Sequence, residues 1–411
     1  HFFQAQDFLV EAFLGALPGE PGQFVGPAEL PQGAVFYVLF LAAAFVGLGE
    51  FCGDREEELQ LMMRNCLNQT DMKLVSQRRL GKTGLVFRLF DELAETHPEV
   101  LSVYLDIFAS RNIDDFIKLF SEAAIRSFQP KTPIGERLLN YIRSLRPMVS
   151  YDPLTSQPQL QLTYHTIHEK EYTLRGLFDF LDGQNVPIIV AIDEFQQIRE
   201  YPEQNMEALL RTYIQQCKNI NFIFSGSRKH LMTDIFANER KPFYSSTAFV
   251  SLGKIAEESY SVFIKKLFRK GGRNITDEAV QFILEWTQRV TYYTQQLCHV
   301  IFANGNVKID LTVVKSACDQ ILKQGETVYI QYRQMLTEKQ WNYLIAVAKE
   351  GNVRQITAAN FLVRYQIGGP SSSRKTVDSL VKMGMLNAEA TLEGTVYSVD
   401  DIFFSHWPER L

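Results

Sequence analysis

Cysteine is scarce and unpatterned in this chain. Five are present, Cys52, Cys66, Cys217, Cys298 and Cys318, with no CxxC pair and no cysteine–histidine spacing that suits a metal. The odd number and the absent pattern exclude a disulfide framework and a zinc ribbon, and a reducing, cytoplasmic compartment is expected. Basic charge is missing from residues 1–50, which hold Asp7, Glu11, Glu20, Glu29 and Glu50 but no Lys or Arg. The net charge of −5 therefore belongs to that segment, and residues 51–411 carry 42 charges of each sign. No global basic field marks the chain for nucleic acid, which leaves only a local patch as a route to DNA. A nucleophile-elbow motif is absent, so nucleophilic hydrolysis has no support. His165 and His168 stand three residues apart without a third ligand, which argues against zinc.

Long apolar runs are also lacking. The best of them, residues 34–49, stops just short of the length that crosses a bilayer, and a secretory leader would need a basic start that is not there. Residues 1–50 are therefore an N-terminal hydrophobic extension of open nature: a packed segment, a membrane anchor, or sequence foreign to the remainder. Membrane attachment through residues 34–49 is disfavoured but not excluded. With 46% hydrophobic and 22% charged residues over 411 positions, the remainder is an ordinary globular type with material for two or three domains.

What is present centres on residues 72–88, MKLVSQRRLGKTGLVFR. Residues 72–75 suit a buried strand, and residues 82–93 have the apolar spacing of a helix. Between them lies a polar turn ending in Gly81-Lys82-Thr83, the form of a phosphate-binding loop. Its expected nucleotide contacts are Ser76, Gln77, Arg78, Arg79, Leu80, Gly81, Lys82, Thr83 and Gly84. Backbone N–H groups would curl around a β-phosphate at the positive end of the helix, Lys82 would reach the β- and γ-phosphates, and Thr83 would hold Mg²⁺. Ser76 stands where glycine is usual, which is tolerable if its φ is negative.

Such a loop predicts a second strand ending in acid. Residues 187–194, PIIVAIDE, supply it, with Asp193 as the second Mg²⁺ residue and Glu194 as the group that activates water. Further strands are expected at 100–107, 220–224 and 248–252, with helices between them. Residues 147–172 have no clear period and read as an insertion loop. Strand–helix alternation implies a parallel sheet with right-handed crossovers. Beyond residue 253 the strands stop and helices are expected at 257–268, 277–289, 292–302 and 311–323. Residues 336–411 then give three helices and two short strands around Glu393-Gly394, the pattern of a winged helix. The expected class is α/β: a parallel five-stranded P-loop sheet of the ASCE type with helices on both faces, then an α-helical lid, then a winged-helix domain. The expected segments are 1–50, 51–253, 254–332 and 333–411.

Together these pieces resemble the bacterial and archaeal P-loop ATPases of the AAA+/STAND grouping. The resemblance is carried by Phe51-Cys52-Gly53-Asp54-Arg55-Glu56, by Arg78-Arg79-Leu80-Gly81-Lys82-Thr83, by Asp193-Glu194 and by Phe224-Ser225-Gly226-Ser227. It implies ATP or ADP with Mg²⁺ as ligands, ATP hydrolysis, and coupling of nucleotide state to a protein partner or to self-assembly. Phe51 and Arg55 would lie near the adenine. Ser225, or Ser227, would contact the γ-phosphate or its water, and Arg240, with Arg228 as alternative, would reach the γ-phosphate of a neighbouring subunit. The catalytic set is then Glu194, Lys82, Arg240 and Ser225. The lid segment Arg289-Val290-Thr291-Tyr292-Tyr293 lacks the Gly and Pro of the grouping's sensor motif, and both tyrosines are expected in the core. DNA is a possible partner through Arg374, Lys375 and Lys382 on the third winged-helix helix.

Overall fold

The computed structural model describes residues 55–410 apart from 129–131, 145–147, 152–157, 162–166 and 392. Residues 1–50, Phe51 and His165 lie outside the described residues, together with the readings placed on them. The chain divides into two compact units, one ending at Ile255 and one beginning at Ala256.

The first unit opens with helix α1 (Glu56–Leu67), strand β1 (Met72–Val75), helix α2 (Lys82–Thr96) and strand β2 (Leu101–Asp106). Helices α3 (Ile113–Ser127) and α4 (Pro133–Ser144) lead to a hairpin of β3 (Met148–Tyr151) and β4 (Pro158–Gln161), and then to α5 (Ile167–Asp182). Strand β5 (Ile188–Asp193), a 3-10 turn (Phe195–Glu200), α6 (Met206–Ile214), β6 (Ile220–Gly226), α7 (Lys229–Ala237) and β7 (Ala248–Ser251) complete it.

Five of the strands form one parallel sheet in the order β2-β5-β6-β1-β7. The parallel class follows from the sequence because β5 and β6 are buried along their whole length, and only a sheet covered on both faces hides a run such as IIVAID. Successive side chains enter opposite cores. Ile188, Val190 and Ile192 pack with Phe222, Phe224 and residues of α3, α5, α6 and α7, whereas Ile189 and Ala191 pack with Met72, Leu74 and residues of α1 and α2. Strand order places β6 between β1 and β5. The loop after β1 and the acids ending β5 therefore flank the C-terminal residues of β6.

The structure corrects the insertion-loop reading of residues 147–172. Met148 pairs with Gln161 and Tyr151 with Pro158 in an antiparallel ladder, and α5 already begins at Ile167. The stretch shows no period because each strand has only four residues, too few for alternation to register.

In the second unit, helices α8 (Glu257–Lys270), α9 (Asp277–Trp286), α10 (Thr291–Ala303) and α11 (Leu311–Met335) are followed by α12 (Glu338–Glu350), α13 (Ala359–Arg364) and α14 (Pro370–Lys382). The strands do not stop at residue 253: β8 (Asn274–Ile275) and β9 (Lys308–Ile309) form a small parallel pair ahead of α9 and α11. Strands β10 (Leu386–Thr391) and β11 (Gly394–Val399) pair antiparallel around Glu393, and α15 (Ile402–His406) closes the chain with a 3-10 turn. Helix α11 is 25 residues long and passes well beyond the expected end near 323. Gly325 looks like a stop in the sequence. In the structure a Cβ there would stand 2.6 Å from the Tyr329 ring, so the glycine makes room for a tyrosine lying back along its own helix. Among the described residues no helix is long and apolar enough to cross a membrane.

Candidate functional site

The loop after β1 is held from behind before it can hold anything. Leu80 is buried, and its carbonyl accepts a hydrogen bond from the Arg55 guanidinium at 3.1 Å. The same guanidinium donates to the Gly253 carbonyl at 2.8 Å and pairs with Glu58 at 3.0 Å. Arg55 is 3% exposed, and these three partners compensate its burial. It therefore ties the loop to the chain just beyond β7.

Ser76 is buried and does not have a positive φ, which meets the condition its replacement of glycine imposed. The left-handed positions are Arg79, at φ 68°, and Gly81, at φ 91°. Gly81 caps α2 with no side-chain hydrogen bond, so no capping side chain competes for the first N–H groups of that helix. Lys82 is 6% exposed, and its Nζ donates to the carbonyls of Ser76 and Gln77 at 3.1 Å each and to Ser76 Oγ at 3.4 Å. Burial pulls the ammonium below its usual range, while the charges of Asp193 and Glu194 oppose that shift. A phosphate oxygen, being charged, is a stronger acceptor for this ammonium than a neutral carbonyl.

Across β6, Asp193 accepts from Thr83 Oγ1 at 2.8 Å and from Tyr104 OH at 2.9 Å on one oxygen, and from the Glu194 N–H at 2.9 Å on the other. Thr83 lies in the first turn of α2 and Asp193 ends β5, so this bond joins the two halves of the expected Mg²⁺ pair. Tyr104 is placed by register: it lies opposite Ala191, on the sheet face that Asp193 shares two residues later. Asp106 ends β2 level with Asp193. Burial raises its carboxyl pKa, the Phe108 N–H opposes that shift, and Asp193 and Glu194 add to it.

Glu194 has left-handed backbone, at φ 54° and ψ 39°. Its Oε2 accepts from Ser227 Oγ at 2.8 Å and from Gln196 Nε2. Ser227 Oγ in turn accepts from Arg78 Nε at 3.4 Å, which links the loop to the acid through the residue that follows β6. Direct hydrogen bonds thus form two sets, Lys82 with Ser76 and Gln77, and Thr83, Asp193, Glu194, Ser227 and Arg78, which the chain joins at Gln77-Arg78 and Lys82-Thr83. Ser225 is 1% exposed and its Oγ has no hydrogen-bond partner, so of the two serines Ser227 is the one bonded to Glu194.

Arg240 lies apart, exposed in the connection from α7 to β7, where its backbone N–H is held by Asn238 Oδ1 at 3.1 Å. That connection is rooted by Phe236 and Phe243, whose rings pack on Phe224 and Phe195 with centroids 5.3 to 5.9 Å apart. Arg228, the alternative, is exposed and 3.5 Å from Glu200. Tyr293 is buried as expected and donates to the Asp400 carbonyl at 3.2 Å, but Tyr292 is 42% exposed rather than in the core. Helix α10 starts at Thr291, which turns the two adjacent tyrosines about a quarter-turn apart. His168 is exposed, and among the described residues no group of three acids, histidines or cysteines could hold a metal. Tyr104 and Gln196 were not singled out in the sequence. For Gln196 a signal existed, its place two residues after Glu194; for Tyr104 only the strand register brings it to Asp193.

Comparison with known proteins gives the same architecture. A family model described as a probable winged helix domain matches residues 327–410. The Walker-type ATPase PABY2304 of Pyrococcus abyssi is similar in structure, with a TM-score of 0.59, 18% identity, and coverage of 87% of this chain and 95% of that one. The ORC2 protein of Aeropyrum pernix, solved in ADPNP–ADP complexes, has a TM-score of 0.53 at 15% identity, covering 87% of this chain and 93% of its own. No curated protein matches the sequence. The chain has the α/β fold of the AAA+ P-loop ATPases, a five-stranded parallel sheet with helices on both faces, and it ends in a winged helix.

Proposed function

We propose that the chain is a Mg²⁺-dependent ATP-binding and hydrolysing switch of the AAA+/STAND type, which couples nucleotide state to a protein partner or to self-assembly. The observation that carries this reading is the bond between Thr83, at the start of α2, and Asp193, at the end of β5, beside a buried Lys82. Thr83 Oγ1 and the Asp193 carboxylate, 2.8 Å apart, are oxygen donors of the kind a hard cation takes, and they are the residues that would hold Mg²⁺. Mg²⁺, when bound, neutralises charge on the phosphates.

The chain's own residues do the rest. Lys82 exchanges loop carbonyls for the β- and γ-phosphates, and the open N–H groups of the loop and of α2 hold the β-phosphate. Glu194 takes a proton from water as the water oxygen bonds to the γ-phosphorus. The bond from γ-phosphorus to the bridging oxygen breaks, and that oxygen leaves on ADP. Residues 254–332 act as the lid and residues 333–411 as the segment that meets the partner. Arg240, exposed and without an ion pair among the described residues, is the side chain assigned to a neighbouring copy's γ-phosphate.

Calorimetric titration with MgATP tests the reading. Wild type and Glu194→Gln should bind alike, and Glu194→Gln should lose turnover by about 100-fold or more. Unchanged hydrolysis in Glu194→Gln would remove Glu194 from its role. DNA is a second reading, favoured by exposed Arg374, Lys375 and Lys382 on α14. The Arg374–Asp378 pair at 3.3 Å is exposed at both ends and holds Arg374 weakly. Salt-dependent binding of duplex DNA that disappears in Arg374→Ala/Lys375→Ala would support it.

A further inference from the structure

Glu194 carries both of its side-chain hydrogen bonds on one oxygen. Gln196 Nε2 and Ser227 Oγ donate to Oε2, and no described residue donates to Oε1. An asymmetric carboxylate of this kind has one oxygen fixed and one oxygen available.

Gln196 is built into its position. It is 3% exposed, in the 3-10 turn that opens directly after Glu194. The left-handed backbone of Glu194 lets the Gln197 N–H bond to the Glu194 carbonyl at 2.9 Å, and the Gln196 side chain returns onto the carboxylate it follows. The slot around the carboxamide is tight. A Cβ added at Gly226 would stand 2.4 Å from Gln196 Oε1 and 2.5 Å from Met232 Sδ, so a larger residue at the end of β6 would displace one or both side chains from their present places. Yet Oε1 of Gln196 is buried with no hydrogen-bond partner. A buried acceptor left unsatisfied destabilises a fold. A residue kept for packing would be better served by an apolar chain of the same length. The arrangement makes sense only through its other end, the Nε2 that meets Glu194.

We infer that Gln196 is a positioning residue: it holds Oε2 of Glu194 so that Oε1 faces the attacking water and takes its proton. The inference rests on the proposed hydrolysis. Ser227 supplies the second bond to Oε2, and its link to Arg78 ties the same oxygen to the phosphate loop.

Steady-state ATPase kinetics, MgATP calorimetry and thermal melts of the full chain test it, with wild type, Gln196→Met, Ser227→Ala and Glu194→Gln side by side. Gln196→Met should lower kcat by about 10- to 100-fold, because a misdirected reacting group loses rate rather than affinity. KM and the MgATP Kd should stay within about twofold, and Tm should be equal or higher, since the orphaned acceptor is gone. Ser227→Ala should lower kcat in the same way by a smaller factor, and it decides the matter if Gln196→Met does not fold. Unchanged kcat in the variant, or a raised KM with kcat intact, overturns the role of Gln196 while wild-type turnover leaves the ATPase reading standing. Absence of turnover in wild type, or its persistence in Glu194→Gln, overturns the ATPase reading and this inference with it.

Discussion

The cluster at the C-terminal edge of the sheet and the C-terminal end of the second unit are organised by different forces. In the first, nearly every contact is a hydrogen bond between charged or polar groups that separate strands deliver to one edge. In the second, α15 and the turn after it pack by aromatic rings. Phe403 lies 4.7 Å from Tyr293, Phe404 lies 5.3 Å from Tyr329, and Trp407 lies 5.5 Å from the same tyrosine. His406 stacks on Trp286 at 4.6 Å and bonds its carbonyl at 2.8 Å. The polar cluster is built for position and tolerates stability defects such as the orphaned atoms of Ser225 and Gln196. The aromatic cluster is built for burial, and joins α9, α10, α11 and α12 through one short segment. Substitutions in the first should therefore read out in ligand chemistry, and substitutions in the second should read out in melting.

The strongest test is in the aromatic region. Phe404 is fully buried, and Phe404→Ala should destabilise the second unit by about 4 kcal/mol, seen as a fall in Tm or in the denaturant midpoint. A shift under about 1 kcal/mol would deny that this segment anchors its unit. Next is Lys82→Ala, which should weaken MgATP by about 100-fold, or about 3 kcal/mol, with Tm little changed. Tight binding by that variant would sink the nucleotide assignment.

A third test concerns charge at the opposite edge of the sheet. Burial pushes the Asp71 carboxyl up to about 6, against the Phe222 N–H at 2.8 Å, the nearby Arg211 and the Asn221 amide at 3.2 Å. A raised carboxyl binds its proton more tightly in the folded chain, so its contribution is full below the ordinary carboxylate range and is lost as pH rises through about 6. Asp71→Asn keeps an acceptor for the Phe222 N–H but cannot ionise. Between pH 4 and pH 7 its stability should change relative to wild type by on the order of 2 kcal/mol in the variant's favour. Parallel pH profiles for the two would contradict it. The smallest effect is expected at Thr337, whose side chain and Gln340 form a reciprocal cap on α12. Thr337→Ala should cost about 1 kcal/mol, with no effect on MgATP affinity.

Much of the site was legible because its chemistry is local. Gly81, Lys82 and Thr83 are consecutive, and the strand before them and the helix after them have unmistakable periods. Asp193 and Glu194 close a run of apolar residues that only a buried parallel strand accommodates. Other elements were not legible for equally physical reasons. Hairpin β3–β4 is too short to show alternation, and Gly325 mimics a helix stop while serving the Tyr329 ring. The residues of α15 read as nothing in particular, because an aromatic run gains its meaning from the rings it meets.

Sequence by itself determined the turn between β1 and α2, the acidic strand, the parallel class of the sheet and the winged-helix pattern, since each rests on spacing along the chain. Tertiary structure alone decided that β6 lies between β1 and β5, that Tyr104 reaches Asp193, and that Ser227 reaches Glu194. Those facts depend on which strands become neighbours and in what register. Strand pairing joins residues far apart in the chain through identical backbone groups, so no local pattern encodes it.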